Sequence, residues 1–149
     1  MALGLTLSSA VAAQDYAPWL GTWKLNLTKS TYDPGPPPYR RSTFTIEPWE
    51  GGVKVTYDMV HMRGGITHLE WTGQFDGKDY PVQGVEEFIT YAYNRIDDRT
   101  YEVLLKLDGA VAAKSRVSLS IDGRTITTLT TGANALGYTV TSTTVYDKQ

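Results

Sequence analysis

Cysteine is absent from the 149 residues, so this chain can build neither a disulfide, a thiol nucleophile nor a Cys-rich zinc site. Histidine is almost absent too: His61 and His68 are the only two, which confines any imidazole chemistry to one short segment. Charge of one sign is also lacking. Fourteen Lys and Arg face sixteen Asp and Glu, for a net charge of −2 and a pI near 5.6. The basic residues are scattered rather than striped, so nucleic acid is not an expected partner. Beyond the first residues no stretch approaches the roughly 20 apolar residues of a membrane helix, and no membrane span is expected. From Asp15 onward no segment keeps a helical period long enough to predict a helix. No nucleophile elbow, phosphate loop, dinucleotide fingerprint or zinc-protease motif occurs, and no cofactor is expected.

What the chain does have is aromatic and β-branched: ten Tyr, four Trp and three Phe, with frequent Thr and Val, a mixture that suits half-buried pleated surfaces. Turn signals recur at Gly51-Gly52, Gly64-Gly65, Asp76-Gly77, Asp97-Asp98, Asp108-Gly109, Asp122-Gly123 and Asn134 to Gly137. Between them the residues alternate. Val53, Val55, Tyr57 and Met59 interleave with Lys54, Thr56 and Asp58, and Tyr101, Val103, Leu105 and Leu107 with Glu102 and Lys106. Period two with one apolar face means a sheet packed on one side. Such turn spacing means short antiparallel strands joined by hairpins. A meander that long curls and closes. The predicted fold is all-β, an up-and-down antiparallel barrel over residues 14–149.

Two segments depart from that rhythm. Met1 to Gln14 (MALGLTLSSAVAAQ) is an apolar run ending in Val11-Ala12-Ala13, the pattern of a secretory signal cleaved after Ala13. Residues 1–13 are therefore expected to be a signal remnant and the protein periplasmic or secreted. With no Cys at that point, a lipid anchor is not expected. Asn26 to Ser42 (NLTKSTYDPGPPPYRRS) is rich in proline, which excludes a helix and makes a poor central strand. A rigid loop crossing one end of the barrel is predicted there. Asn26-Leu27-Thr28 also fits a glycosylation acceptor, though the tripeptide is common.

The opening Trp19-Leu20-Gly21-Thr22-Trp23-Lys24-Leu25 carries Gly-x-Trp at the start of the first strand. The closing segment is Thr141-Ser142-Thr143-Thr144-Val145-Tyr146-Asp147-Lys148. Together with the meander between them, these ends resemble the lipocalin-like (calycin) barrels, the opening most of all the intracellular fatty-acid-binding proteins. The resemblance implies a barrel of about eight to ten strands around a ligand cavity, with Trp23 packed near the closed end. Two departures bear on the ligand. That family has a helix-turn-helix lid where this chain has its Pro-rich segment. Its last strand carries an Arg two residues before a Tyr; here Tyr146 matches but Thr144 takes the Arg position. Its other cavity Arg falls near Arg116, which lies one residue further from its Asp-Gly turn, and a one-residue slip reverses the face. A fatty acid is thus not implied, and an exported lipocalin-like relative with another ligand fits better.

Two constellations could carry chemistry. If Gly64-Gly65 forms a two-residue turn, Arg63 pairs with Ile66, His61 lies opposite His68, and Met59 opposite Glu70. Two imidazoles and the Glu70 carboxylate on one face can hold a divalent metal or relay protons, with Glu70 raising the basicity of His68. The plainer reading is a solvated outer face, with Leu69 and Trp71 turned inward. The second constellation gathers Tyr39, Arg40, Arg41, Tyr91, Tyr93, Arg95, Tyr138 and Tyr146. If their faces point inward, the cavity has aromatic walls and a cation for an anionic head group. Otherwise these are good strand residues with exposed hydroxyls.

The expected function is therefore an exported barrel, a monomer or small homo-oligomer, that binds a small apolar or aromatic ligand, with an anionic head group as a variant of that expectation. The expected ligand contacts are Tyr57, His61, His68, Glu70, Tyr93, Arg95, Arg116, Tyr138 and Tyr146. A cavity enzyme of isomerase, lyase or hydrolase type using His61, His68 and Glu70 stands as the alternative. A third reading is a self-assembling β protein, in which a Thr-rich strand from Arg124 to Thr131 pairs with another copy.

Overall fold

A computed structural model describes residues 16–133 and 136–149; the expected signal segment and Asn134 lie outside the described residues. Strand follows strand: β1 Gly21–Leu25, β2 Thr31–Asp33, β3 Tyr39–Trp49, β4 Gly52–His61, β5 Ile66–Gly73, β6 Tyr80–Gln83, β7 Ile89–Asp97, β8 Thr100–Leu107, β9 Ala110–Leu119, β10 Thr125–Ala133 and β11 Thr139–Lys148. All pairings are antiparallel between neighbours from β3 to β11. β1 bonds both β3 and β11, so β1 and β3–β11 close a ten-stranded barrel. No helix among the described residues is long and apolar enough to cross a membrane.

Alternation decides which side chains go inside. Val53, Val55 and Met59 on β4 and Leu69 and Trp71 on β5 are buried, while Asp58 and His68 between them are exposed. The turns linking β3 to β4, β7 to β8 and β9 to β10 gather at one end. A 3-10 turn, Ala17–Trp19, plugs that end. Its Trp19 carbonyl accepts a hydrogen bond from Trp23 Nε1 at 3.0 Å, and Trp23 is fully buried. Phe75 stacks on Tyr93 at 4.4 Å and meets Tyr101 at 4.8 Å. These rings, with Trp71, pack together at the closed end.

The structure corrects the expected rigid loop over residues 26–42. Leu27–Lys29 form a 3-10 turn, with the Asn26 side chain accepting from the Lys29 amide. Thr31–Asp33 then add a short strand to β11, and Tyr39–Ser42 already belong to β3. The longest irregular run in this segment is then residues 34–38. Proline bars a central strand but not strands beginning just beyond it. The Asn26 side chain also donates to Asp147 Oδ2 at 2.9 Å and accepts from Thr28 Oγ1 at 2.8 Å, so the acceptor amide is engaged within the fold.

The predicted register of the β4–β5 hairpin is also corrected. Val60 pairs with Ile66, Asp58 with His68 and Thr56 with Glu70. Gly64 N–H donates to the His61 carbonyl and His61 N–H to the Gly65 carbonyl. Met62-Arg63-Gly64 thus form a three-residue loop, with Gly64 at φ 89° supplying its left-handed residue. Relative to Arg63 opposite Ile66 the register slips by an odd number, so His61 and His68 fall on opposite faces.

Candidate functional site

Away from the plugged end the barrel is hollow. A cavity of about 430 Å³ lies between the strands, within the usual range for small-molecule sites. Trp19, Phe75 and Tyr101 form its floor. Strands β4 to β8 contribute a bulky wall that includes Tyr57, Leu69, Tyr91, Tyr93 and Val103. Strands β9 to β11 contribute Ala113, Ser115, Thr128, Thr130, Thr144 and Tyr146. Among the described residues the lining holds no Lys, Arg, His, Asp or Glu.

The tyrosines keep this interior uncharged. Burial pushes the Tyr93 and Tyr146 hydroxyls up to about 12 and also raises those of Tyr57 and Tyr91, because a phenolate there would lose its hydration. Tyr57 and Tyr93 share a side-chain hydrogen bond. The Tyr146 hydroxyl hydrogen-bonds Ser42 Oγ at 2.9 Å, and Ser42 is itself buried. A bulge between Tyr39 and Arg41 lets Tyr39 reach the cavity and Ser42 stay inside, while Arg40 and Arg41 are both exposed.

Of the residues singled out in the sequence, Tyr39, Tyr57, Tyr91, Tyr93 and Tyr146 line the cavity. His61 stays at the rim, its ring 5.0 Å from that of Tyr39 and its Nε2 2.7 Å from Thr67 Oγ1. His68 and Glu70 lie on the outer face. His68 Nδ1 is 2.7 Å from Asp58 Oδ1 and its Nε2 3.4 Å from Glu70 Oε1. Those bonds, Asp58 first, raise the His68 pKa. Each ring nitrogen faces its own carboxylate, so the His61, His68 and Glu70 side chains do not converge on one point. Among the described residues no group of three such side chains is placed to hold a metal. Arg95 is exposed at the closed end and paired with Asp98. Arg116 is exposed on β9, between Ser115 and Val117, which do face the cavity. Tyr138 is exposed in the turn between β10 and β11.

Ser115, Thr128 and Thr130 were missed as wall residues. The signal was available: on β10 Thr128 and Thr130 alternate in phase with Ile126, and on β9 Ser115 alternates in phase with Leu119, both of which are buried. Because β10 is bonded to both β9 and β11, the strand offered for pairing with another copy has no free edge.

No family model matches the chain, and no curated protein matches it. Among solved structures it is similar to zebrafish ileal bile acid-binding protein complexed with cholic acid, at 10% identity and a TM-score of 0.52, covering 89% of this chain and all of that one. At that identity the likeness speaks to the path of the chain and not to what it holds. The fold is that of a calycin-type β-barrel.

Proposed function

We propose that this protein is an exported carrier that holds one small, uncharged, apolar or aromatic molecule inside its barrel. The observation that carries this reading is the cavity of about 430 Å³ walled by aromatic, aliphatic and hydroxyl side chains, with no Asp, Glu, His, Lys or Arg in its lining among the described residues. An anionic head group was one sequence-based expectation. The candidate cations Arg40, Arg41, Arg95 and Arg116 are all exposed, and a buried carboxylate without a partner is costly; both points favour a neutral ligand. The solved calycin neighbour, complexed with cholic acid, supports use of such a barrel for a compact ring molecule. Export rests on the small-residue pattern Val11-Ala12-Ala13.

Titration with the neutral fluorophore phenylnaphthylamine tests the carrier reading. A saturable, one-to-one rise in emission is expected, together with a co-purified neutral mass in native mass spectra of freshly isolated protein. Absence of saturable binding would overturn it. Expression of the full chain with N-terminal sequencing of the product tests export: a mature start at Gln14 is expected, and an intact Met1 in the cytoplasm would count against it.

A further inference from the structure

The cavity has unequal walls, and on the carrier reading above this inequality narrows the ligand class. Its bulky wall is aromatic and aliphatic. Its β9–β11 wall carries Val117, Ile126 and Tyr146 but is otherwise small and hydroxylated, with Ala113, Ser115, Thr128, Thr130 and Thr144 facing inward. Some of these hydroxyls are occupied: Ser115 Oγ and Thr130 Oγ1 are 2.7 Å apart, and Thr144 Oγ1 donates weakly to the Thr128 carbonyl at 3.5 Å. Thr128 Oγ1 has no hydrogen-bond partner among the described residues. The Tyr146 hydroxyl on β11 is satisfied by Ser42 of β3, and on the bulky wall Tyr57 and Tyr93 satisfy each other. Tyr91 does not. Its side chain is part-buried and lines the cavity, burial and then its neighbours Tyr93 and Tyr39 raise its pKa, and its hydroxyl has no partner among the described residues.

A buried donor without a partner is uncommon in a folded protein, and here it opens onto a space large enough to admit one. The geometry points to an uncharged, oxygenated ring compound as the natural ligand. Tyr91 donates to an acceptor oxygen, a carbonyl or ether, on one side of the ring system. Thr128 meets a second oxygen on the other side. The rings lie against Tyr57, Leu69 and Val103, where flat faces pack best. A site that presents unpaired donors discriminates against the analogue lacking the oxygens, because the donors are then stripped of water and left bare.

The test is displacement of phenylnaphthylamine by four molecules of one skeleton: fluorene, fluorenone, a hydroxyfluorenone and fluorenecarboxylate. Affinity is expected to rise from fluorene through fluorenone to the hydroxyfluorenone, with the carboxylate weakest. Tyr91→Phe should cost fluorenone about threefold to tenfold and leave fluorene unchanged. Thr128→Val should cost the hydroxyfluorenone a similar factor and leave fluorenone unchanged. Both substitutions remove a hydroxyl while keeping the side chain's shape. Equal displacement by fluorene and fluorenone, indifference to Tyr91→Phe, or preference for the carboxylate would overturn the ligand class while bound phenylnaphthylamine leaves the carrier reading standing. Failure of the fluorophore itself to bind would remove both.

Discussion

The two ends of this barrel are made by the same strands with the same alternation, yet one is solid and the other hollow. At the closed end the inward positions carry Trp23, Trp71, Tyr93 and Tyr101, and the 3-10 turn and the segment after β5 add Trp19 and Phe75. Toward the open end the inward positions of β9 to β11 shrink to Ala113, Ser115, Thr130 and Thr144. Backbone pairing continues unchanged past both, from Ile126–Leu119 at one end to Gly132–Ala113 at the other. Closure of the sheet therefore does not require a filled interior. Stability is concentrated in the aromatic plug, and the hollow is left to side chains too small to meet across it.

Breaking the plug should have the largest effect. Trp71 is fully buried, touches Tyr93 with ring centroids 4.9 Å apart, and donates its Nε1 hydrogen to the Tyr80 carbonyl. Trp71→Ala should destabilise the fold by about 3–5 kcal/mol, read as a lowered urea midpoint. A loss below about 1 kcal/mol would mean that the plug is not where stability resides. Filling the hollow should act in the opposite way. Thr128→Leu places extra carbon in open space rather than in a packed core, so the urea midpoint should hold. Overlap with a bound molecule of about 1–3 kcal/mol should weaken phenylnaphthylamine by about fivefold to somewhat over a hundredfold, at about 1.4 kcal/mol per tenfold. Unchanged affinity would place the ligand elsewhere.

Between plug and hollow lies the Tyr146–Ser42 bond. Ser42→Ala removes the acceptor and leaves the largely buried Tyr146 hydroxyl to find another. A loss of about 1–2 kcal/mol in unfolding free energy is expected, with a smaller effect on affinity than Thr128→Leu. A larger effect on affinity than on stability would make Ser42 part of the ligand site.

How much of this could be read beforehand differs between the barrel and its contents. The strands were legible because period two and the turn glycines are local signals, and the pairing of β10 with both neighbours follows once the meander closes. Tyrosines 57, 93 and 146 belong to that alternation, but local pattern alone left open which face of their strands turns inward. The histidine pair was not legible. Its predicted juxtaposition depended on whether Gly64-Gly65 spans a two-residue or a three-residue connection, and both choices place glycine at positive φ. An error there reverses the face of every residue on β5 relative to β4. Arg40 and Arg41 hid the bulge that turns Tyr39 inward, since nothing in their composition marks a second exposed residue in succession. Cavity volume was least legible of all. It depends on which small residue stands opposite which large one across the barrel, a relation between strands far apart in sequence.

The smallest expected effect separates outside from inside by charge. His68 is fully exposed, and the Asp58 and Glu70 carboxylates hold its folded pKa above the ordinary 6.5. A raised folded pKa means that protonated His68 contributes stability fully below about pH 6.5, and that this contribution disappears as pH rises through the folded value. Its NMR titration midpoint should therefore lie above 6.5 and fall toward it in Asp58→Asn. The difference in urea midpoint between the wild type and His68→Ala should shrink between about pH 6 and pH 8. Phenylnaphthylamine affinity should stay level over the same range, because the cavity lining is un-ionised there. An affinity that tracks the His68 titration would join the outer carboxylate cluster to the cavity and undo the division between them.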